Sequence, residues 1–315
     1  MRGYLFPTDF DWFTFLRARQ PLEDVNFWRP SGRGFGALSP GEPLLFKLKS
    51  PHNAIGGFGL FARYELATAK LAWDAFGERN GAGTFDEMCR RIEHYRSGQP
   101  NDPLRRYQVG CIMLSQPVFF ADGDWVVQPS DWAPQAVSGA GYDLTAGEGL
   151  RVWTQCLERA ARVRPLEPVV LAAEATPGPR YGAPQLVLPR LGQGTFRVAV
   201  TSAYGRACAV TGEHSMPVLE AAHIRPFEED GPHTVSNGLL LRADVHRLFD
   251  RGYVTVTPDL RFLVSRRLEE EFDNGKVYYA KDGHSIHLPA LKADHPDREL
   301  LRWHNEHVFE RGRAA

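Results

Sequence analysis

Short apolar runs bounded by glycine, proline and polar clusters fill the first 150 residues. They are Leu44 to Lys49, Gly57 to Tyr64, Val109 to Leu114 and Trp125 to Val127. Runs of this length between turn signals read as strands. Two stretches change to a helical period. One begins near Thr68 and carries Leu71, Trp73 and Phe76. The other begins at Thr84 to Glu87, with Thr84 or Asp86 as its cap and Met88, Ile92 and Tyr95 spaced along one face. Strands interrupted by occasional helices predict an α+β domain built around a small barrel.

Residues 149–162 have the pattern of one amphipathic helix. Residues 163–194 break the periodicity with repeated proline and glycine, which marks a linker, although Leu186-Val187-Leu188 could pair with a sheet. A helix is expected from Thr195 through Phe196, Val200 and Tyr204. Beyond it, the apolar run Val218 to Ala222 ends in His223, a second run follows Asn237-Gly238, and a helix is expected over Arg242–Asp250. The pattern divides the chain into an N-terminal domain over 1–150, a helix and linker over 151–184, and a C-terminal domain over 185–315.

Composition changes this picture little. With 37 basic and 38 acidic side chains the net charge is −1, so a nucleic-acid partner would need a local basic groove rather than an overall excess. Cys89, Cys111, Cys156 and Cys208 are dispersed without a CxxC pair, the pattern of reduced thiols. The first residues lack a signal-type apolar core, and no run of about 18 apolar residues suggests a membrane span. A cytoplasmic location and no membrane partner are therefore expected.

The candidate chemistry lies in residues 208–254. His223 ends a strand-like run, and a neutral imidazole with a pKa near 6.5 can accept a proton at cellular pH. Asn237 both donates and accepts, so it can pin a loop or cap a turn. His246 lies nine residues further on, within the expected helix. Cys208-Ala-Val-Thr-Gly, Ala221-Ala-His-Ile and His246-Arg-Leu-Phe-Asp-Arg-Gly together resemble the HNH nuclease motif, a ββα-metal unit, in a subfamily without zinc. Arg190 to Arg197 and Leu300 to His304 extend the resemblance to about residues 185–310. It implies a nuclease in which His223 activates water, Asn237 holds the loop carrying that base, and His246 binds a divalent ion, Mg²⁺ or Mn²⁺.

Two positions depart from the family pattern. Many HNH sequences carry Asp or His immediately before the base, where this chain has Ala222. Glu220, two residues earlier on the same strand face, and Asp250, four residues after His246 on the same helix face, are the candidates for the second metal ligand. Asp244 lies about 200° round the helix from His246 and is the poorer one. The four positions of the usual zinc staple hold Cys208, Thr211, Arg242 and Val245, so no structural zinc is expected.

In the N-terminal half, Phe27-Trp28-Arg29-Pro30, Leu38-Ser-Pro-Gly-Glu42 and Gly56-Gly-Phe-Gly59 resemble PUA-like barrels of the EVE and ASCH kind. In nucleases such barrels read a modified base drawn out of the duplex, and an extruded base needs stacking surfaces and a few polar groups at its edge. Trp28, Phe35, Phe58 and Trp125 are the candidate base-binding rings, and core packing is their ordinary alternative. Arg29, Asn53, Asp124 and Gln128 could serve the base edge. The whole resembles modification-dependent restriction endonucleases: a PUA-like reader of modified cytosine joined to an HNH cutter acting on double-stranded DNA. One HNH unit cuts one strand, so double-strand cleavage implies a homodimer. A DNA- or RNA-binding protein with a weak or dead HNH scaffold is the alternative.

Overall fold

The computed structural model describes residues 1–96, 102–133, 136, 138–163 and 191–310. Most of the expected linker, including Leu186-Val187-Leu188, lies outside the described residues. The described chain is mixed helix and sheet, the expected α+β class, and separates into two compact units, 1–195 and 196–315.

The first unit is organised by one sheet. β1 (Arg2–Thr8) leads through α1 (Phe10–Arg17) to β2 (Asp24–Arg29), then β3 (Pro43–Leu48) and the long β4 (Ala54–Thr68). After α2 (Ala69–Phe76) and α3 (Phe85–Tyr95) come β5 (Gln108–Phe119), β6 (Val126–Val127) and β7 (Ala140–Asp143). The order is β2-β5-β4-β3-β1-β7, with β6 added to the start of β4, and among the described residues only β1 and β3 are parallel. β3 is buried along its whole length, as its apolar run inside the sheet requires. Its one charge, Lys47, donates to Asn53 at 3.1 Å and lies over the Trp132 ring, and burial holds its pKa below the ordinary lysine range.

Thr84 rather than Asp86 caps α3, accepting from the Glu87 amide at 3.1 Å. Trp12, Phe27, Phe46 and Phe119 fill one side of the sheet, with the Phe46 and Phe119 rings stacked 5.1 Å apart. α4 (Gly147–Val163), which the sequence pattern places in the connecting segment, lays Val152, Trp153, Cys156 and Ala160 against Leu5, Leu45, Ile55 and Phe58 and is part of this core. Asp24, at the start of β2, is fully buried. Its carboxylate pairs with Arg79 and accepts from the amide (2.9 Å) and hydroxyl (2.8 Å) of Thr195.

The second unit begins within α5 (Gln193–Ala203) and contains the antiparallel pair β8 (Leu219–His223) and β9 (Gly238–Arg242), followed at once by α6 (Ala243–Asp250). β10 (Val254–Val256) pairs with β11 (Phe262–Val264), α7 (Arg267–Phe272) and α8 (Lys276–Tyr279) follow, and α9 (Arg298–His307) packs back on β10. Leu239, Leu240, Leu241, Val245 and Phe249 are buried, so the strand–helix unit is welded by its own apolar face. The Glu269 to Glu271 run is the exposed side of α7. All four cysteines are buried and free, and among the described residues no helix is long and apolar enough to cross a membrane.

Candidate active site

β8 and β9 pair in a register that sets His223 opposite Gly238 and Glu220 opposite Leu241. The His223 imidazole is stacked on the Phe196 ring, 3.8 Å between centroids and 7° between planes. Its Nε2 is buried and without a hydrogen-bond partner. Burial lowers its pKa to about 4. His233 and His246 push the same way, and Glu228 opposes them. The ring is therefore neutral throughout the physiological range, the state in which an imidazole can accept a proton.

Asn237, fully buried, fixes the turn that follows His223. Its Nδ2 donates to the carbonyls of Arg225 and Pro232, its Oδ1 accepts from the Arg225 amide, and its own carbonyl accepts from the Ile224 amide, all at 2.9 Å. Gly231 closes the same turn. A Cβ there would lie 1.9 Å from the Arg225 oxygen, so no other residue fits without moving the loop. Removing the Asn237 amide leaves three backbone groups of this turn unpaired. With about 1–3 kcal/mol for each such group that stays buried, Asn237→Ala is expected to lower stability by roughly 2 kcal/mol or more in urea titration. A change inside the range of an ordinary surface substitution, about 0.5 kcal/mol, would show that the loop is held by something else.

His246 is flanked by the two carboxylates proposed as alternatives. Its Nδ1 is 2.7 Å from Glu220 Oε2, and its Nε2 is 3.4 Å from Asp250 Oδ2. They approach opposite edges of one ring. A single ion can therefore share His246 with only one carboxylate, leaving the other to orient the ring through its second nitrogen. Burial raises the pKa of Asp250, and the charge of Glu220 adds to that rise, while His246 opposes it. Among the described residues, no three His, Cys, Asp or Glu side chains are arranged as a closed metal cluster. One imidazole and one carboxylate make a partial donor set of the kind that leaves positions for water and phosphate oxygens.

Asp244 is committed elsewhere. It forms a bidentate pair with Arg242 (2.6 and 2.7 Å) and accepts from the Tyr278 hydroxyl, and Arg242 holds its pKa down at about 2. At the staple positions the Cys208 sulfur accepts from the amides of Thr211 and Arg242 at 3.4 and 3.3 Å. Hydrogen bonds to one sulfur tie together the segments that carry those positions.

A cavity of about 230 Å³ opens in the first unit beside β1, β2 and α3. Its walls include Phe6, Trp28 and Tyr95, with Asp9, Arg29 and Lys49 as charged groups. The Trp28 indole donates to the Asn80 carbonyl at 2.9 Å, Tyr95 donates to Asp9 at 2.6 Å, and Lys49 lies over the Tyr95 ring at 5.2 Å. Burial and the Asp9 carboxylate push the Tyr95 pKa up to about 12.

Of the four candidate rings, only Trp28 lines this cavity. Phe58 is a correction: it is 1% exposed and packs edge-on against Trp153, because its strand is covered on both faces. Phe35 packs against Tyr4 and Phe61, and Trp125 against Phe10 and His52, and neither lines the cavity. Asn53, Asp124 and Gln128 do not line it either, and Arg29 does. Tyr95 and Asp9 were missed. Tyr95 reads from sequence as the last apolar residue of a helix, and Asp9 carries no sequence signal beyond its place before α1, whose Trp12 amide it caps at 3.0 Å.

Residues 208–257 match the family model HNH_2, described as HNH endonuclease. No curated protein matches the sequence. Among solved structures, a modification dependent TagI restriction endonuclease aligns with 24% identity over 38% of this chain and 38% of its own length, at a TM-score of 0.27. A mutant ZmASCH protein from Zymomonas mobilis aligns with 9% identity over 48% of this chain and 96% of its own, at a TM-score of 0.33. The chain thus spans little more than a third of the TagI structure. By the family match, residues 208–257 are an HNH endonuclease domain.

Proposed function

We propose that this protein is a divalent-metal-dependent DNA endonuclease whose N-terminal unit selects DNA carrying a modified base, with modified cytosine the first candidate. The observation that supports it most is His223 itself. It is a neutral imidazole with an unpartnered buried nitrogen, on a turn pinned by Asn237, inside an HNH domain. A buried nitrogen without a partner costs about 1–3 kcal/mol, a cost the fold retains where a partner arrives with substrate.

In the proposed reaction the His223 imidazole takes a proton from water. The water oxygen bonds to phosphorus, the bond to the 3′ oxygen breaks with its electron pair passing to that oxygen, and a proton from solvent water completes the leaving 3′ hydroxyl. Asn237 keeps the base-bearing turn from shifting. His246, with Asp250 or Glu220, would hold the ion, and the remaining carboxylate would fix the ring. When bound, the ion supplies Lewis-acid stabilisation of charge on the phosphate. The Trp28–Tyr95 cavity provides stacking faces, and Asp9 provides an acceptor for an exocyclic amine, the requirements of an extruded base. A homodimer would set one unit on each strand, and the four free thiols suit a cytoplasmic enzyme.

The test is cleavage of modified and plain duplexes, and of RNA, by the full chain with Mg²⁺, with Mn²⁺ and with chelator. Cleavage is expected only with metal and preferentially on modified DNA. Trp28→Ala should remove the preference, since stacking on one ring contributes about 1–3 kcal/mol per base. Cleavage that ignores modification would sink the reader assignment. Binding without cleavage under any metal would favour a dead HNH scaffold.

A further inference from the structure

We propose that Phe196 is a positioning residue for the general base: its ring, laid flat on the His223 imidazole, takes the place of the hydrogen bond that usually orients a catalytic histidine. The proposal rests on the reading of His223 as that base. A histidine acting as a base is commonly held through its second nitrogen by a carboxylate or a backbone carbonyl. Among the described residues no hydrogen bond holds either nitrogen of the His223 ring, the buried Nε2 included, and the dominant contact is the face-to-face Phe196 ring at 3.8 Å and 7°. Phe196 is 2% exposed, so the surface it offers is fixed by packing.

The strand pairing is shaped for it. Gly238 is the register partner of His223, and a Cβ there would stand 3.0 Å from the Phe196 Cζ and 2.5 Å from a Val200 methyl carbon. Only a residue without a side chain lets both α5 rows approach the strand pair. The remaining groups facing the imidazole come from other elements: His233, 6.2 Å away ring to ring, and Glu228 from the β8–β9 connection, with His246 on α6. None of them stacks on the ring. Phe196 covers one of its faces, limits its rotation and excludes water from that side, which also favours the neutral form.

Phe196→Leu in the full chain tests this, together with Gly238→Ala, whose added methyl carbon would press on the edge carbons of the Phe196 ring. Cleavage rate, DNA affinity, thermal unfolding and the His223 titration followed by NMR of labelled histidine are the readouts. Both variants are expected to lower the rate by about tenfold to a hundredfold, the scale of a displaced catalytic group. DNA affinity should hold, and the His223 titration should move up toward the ordinary histidine range. Folded variants with wild-type rate and an unmoved His223 titration would overturn the positioning role. An unmoved titration beside a lost rate would do so as well, because it would trace the loss to another group. If wild-type protein cleaves nothing, the base reading fails, and the titration shift alone then decides whether Phe196 governs this imidazole.

Discussion

His223→Ala is expected to reduce DNA cleavage by ~10² to 10⁴, the usual loss on removing a general base, while DNA affinity stays within a few-fold. The position gives the reason. His223 is the last residue of β8, its ring is held neutral by burial, and the turn after it is pinned by the side chain of Asn237. Its nearest aromatic neighbour with a titratable ring, His233, stands at 6.2 Å and 69°, on the connecting loop rather than on the strand. A substitute base there would work from the wrong place, so residual activity should be small. Single-turnover cleavage of a labelled duplex, with filter binding alongside, separates the two quantities. A variant that keeps more than a tenth of the wild-type rate would take His223 out of the mechanism. The pH profile adds a second check. A base whose pKa is about 4 stays competent as pH falls through 6, so base titration itself should cause no loss there.

The nuclease unit was legible because its signals are local. The run ending at Ala222, the Asn237-Gly238 start of the next strand and the 242–250 helix are contiguous in sequence, and each forms as its pattern implies. The expected ligand set was legible only as far as helix and strand periodicity reaches. Periodicity puts Asp250 and His246 on one face and aims Glu220 toward them. It cannot show that the two carboxylates take opposite edges of one ring.

The N-terminal cavity was illegible for a different reason. Its walls come from β1, β2 and α3, which the sheet order β2-β5-β4-β3-β1-β7 and the helix after it bring together from distant sequence. An apolar strand covered on both faces offers no period by which Phe58, a core ring, can be told from Trp28, a cavity ring. His304 and His307 show the same limit. They are three apart on α9, a spacing that puts both near one face, yet one is buried and the other lies on the surface against Trp303.

The stability of the second unit is expected to fall by about 3 kcal/mol between pH 6.5 and pH 4 through His304 alone. His304 is 2% exposed, and its ring is stacked 3.7 Å from Phe249. Its Nε2 donates to the Phe249 carbonyl at 3.1 Å, which leaves Nδ1 to accept from the Thr255 hydroxyl at 2.8 Å. Both ring nitrogens of the neutral form are thereby satisfied. Burial lowers the pKa to about 4, against a smaller opposing effect of the Phe249 carbonyl. The sign follows from proton uptake. The unfolded chain binds a proton near pH 6.5 and the folded chain near pH 4, so the unfolded state holds more protons in between. The contribution is complete above pH 6.5 and is lost as pH falls toward 4. Because His304 joins α9 to α6 and β10, acid should loosen these three elements together. Hydrogen exchange of the α9 and β10 amides, measured across that window in the full chain, reads the effect. His304→Gln should give a lower stability at pH 7 and a flatter slope. An unchanged slope in that variant would assign the acid sensitivity to other groups, and acid loss of cleavage could then no longer be traced to this histidine.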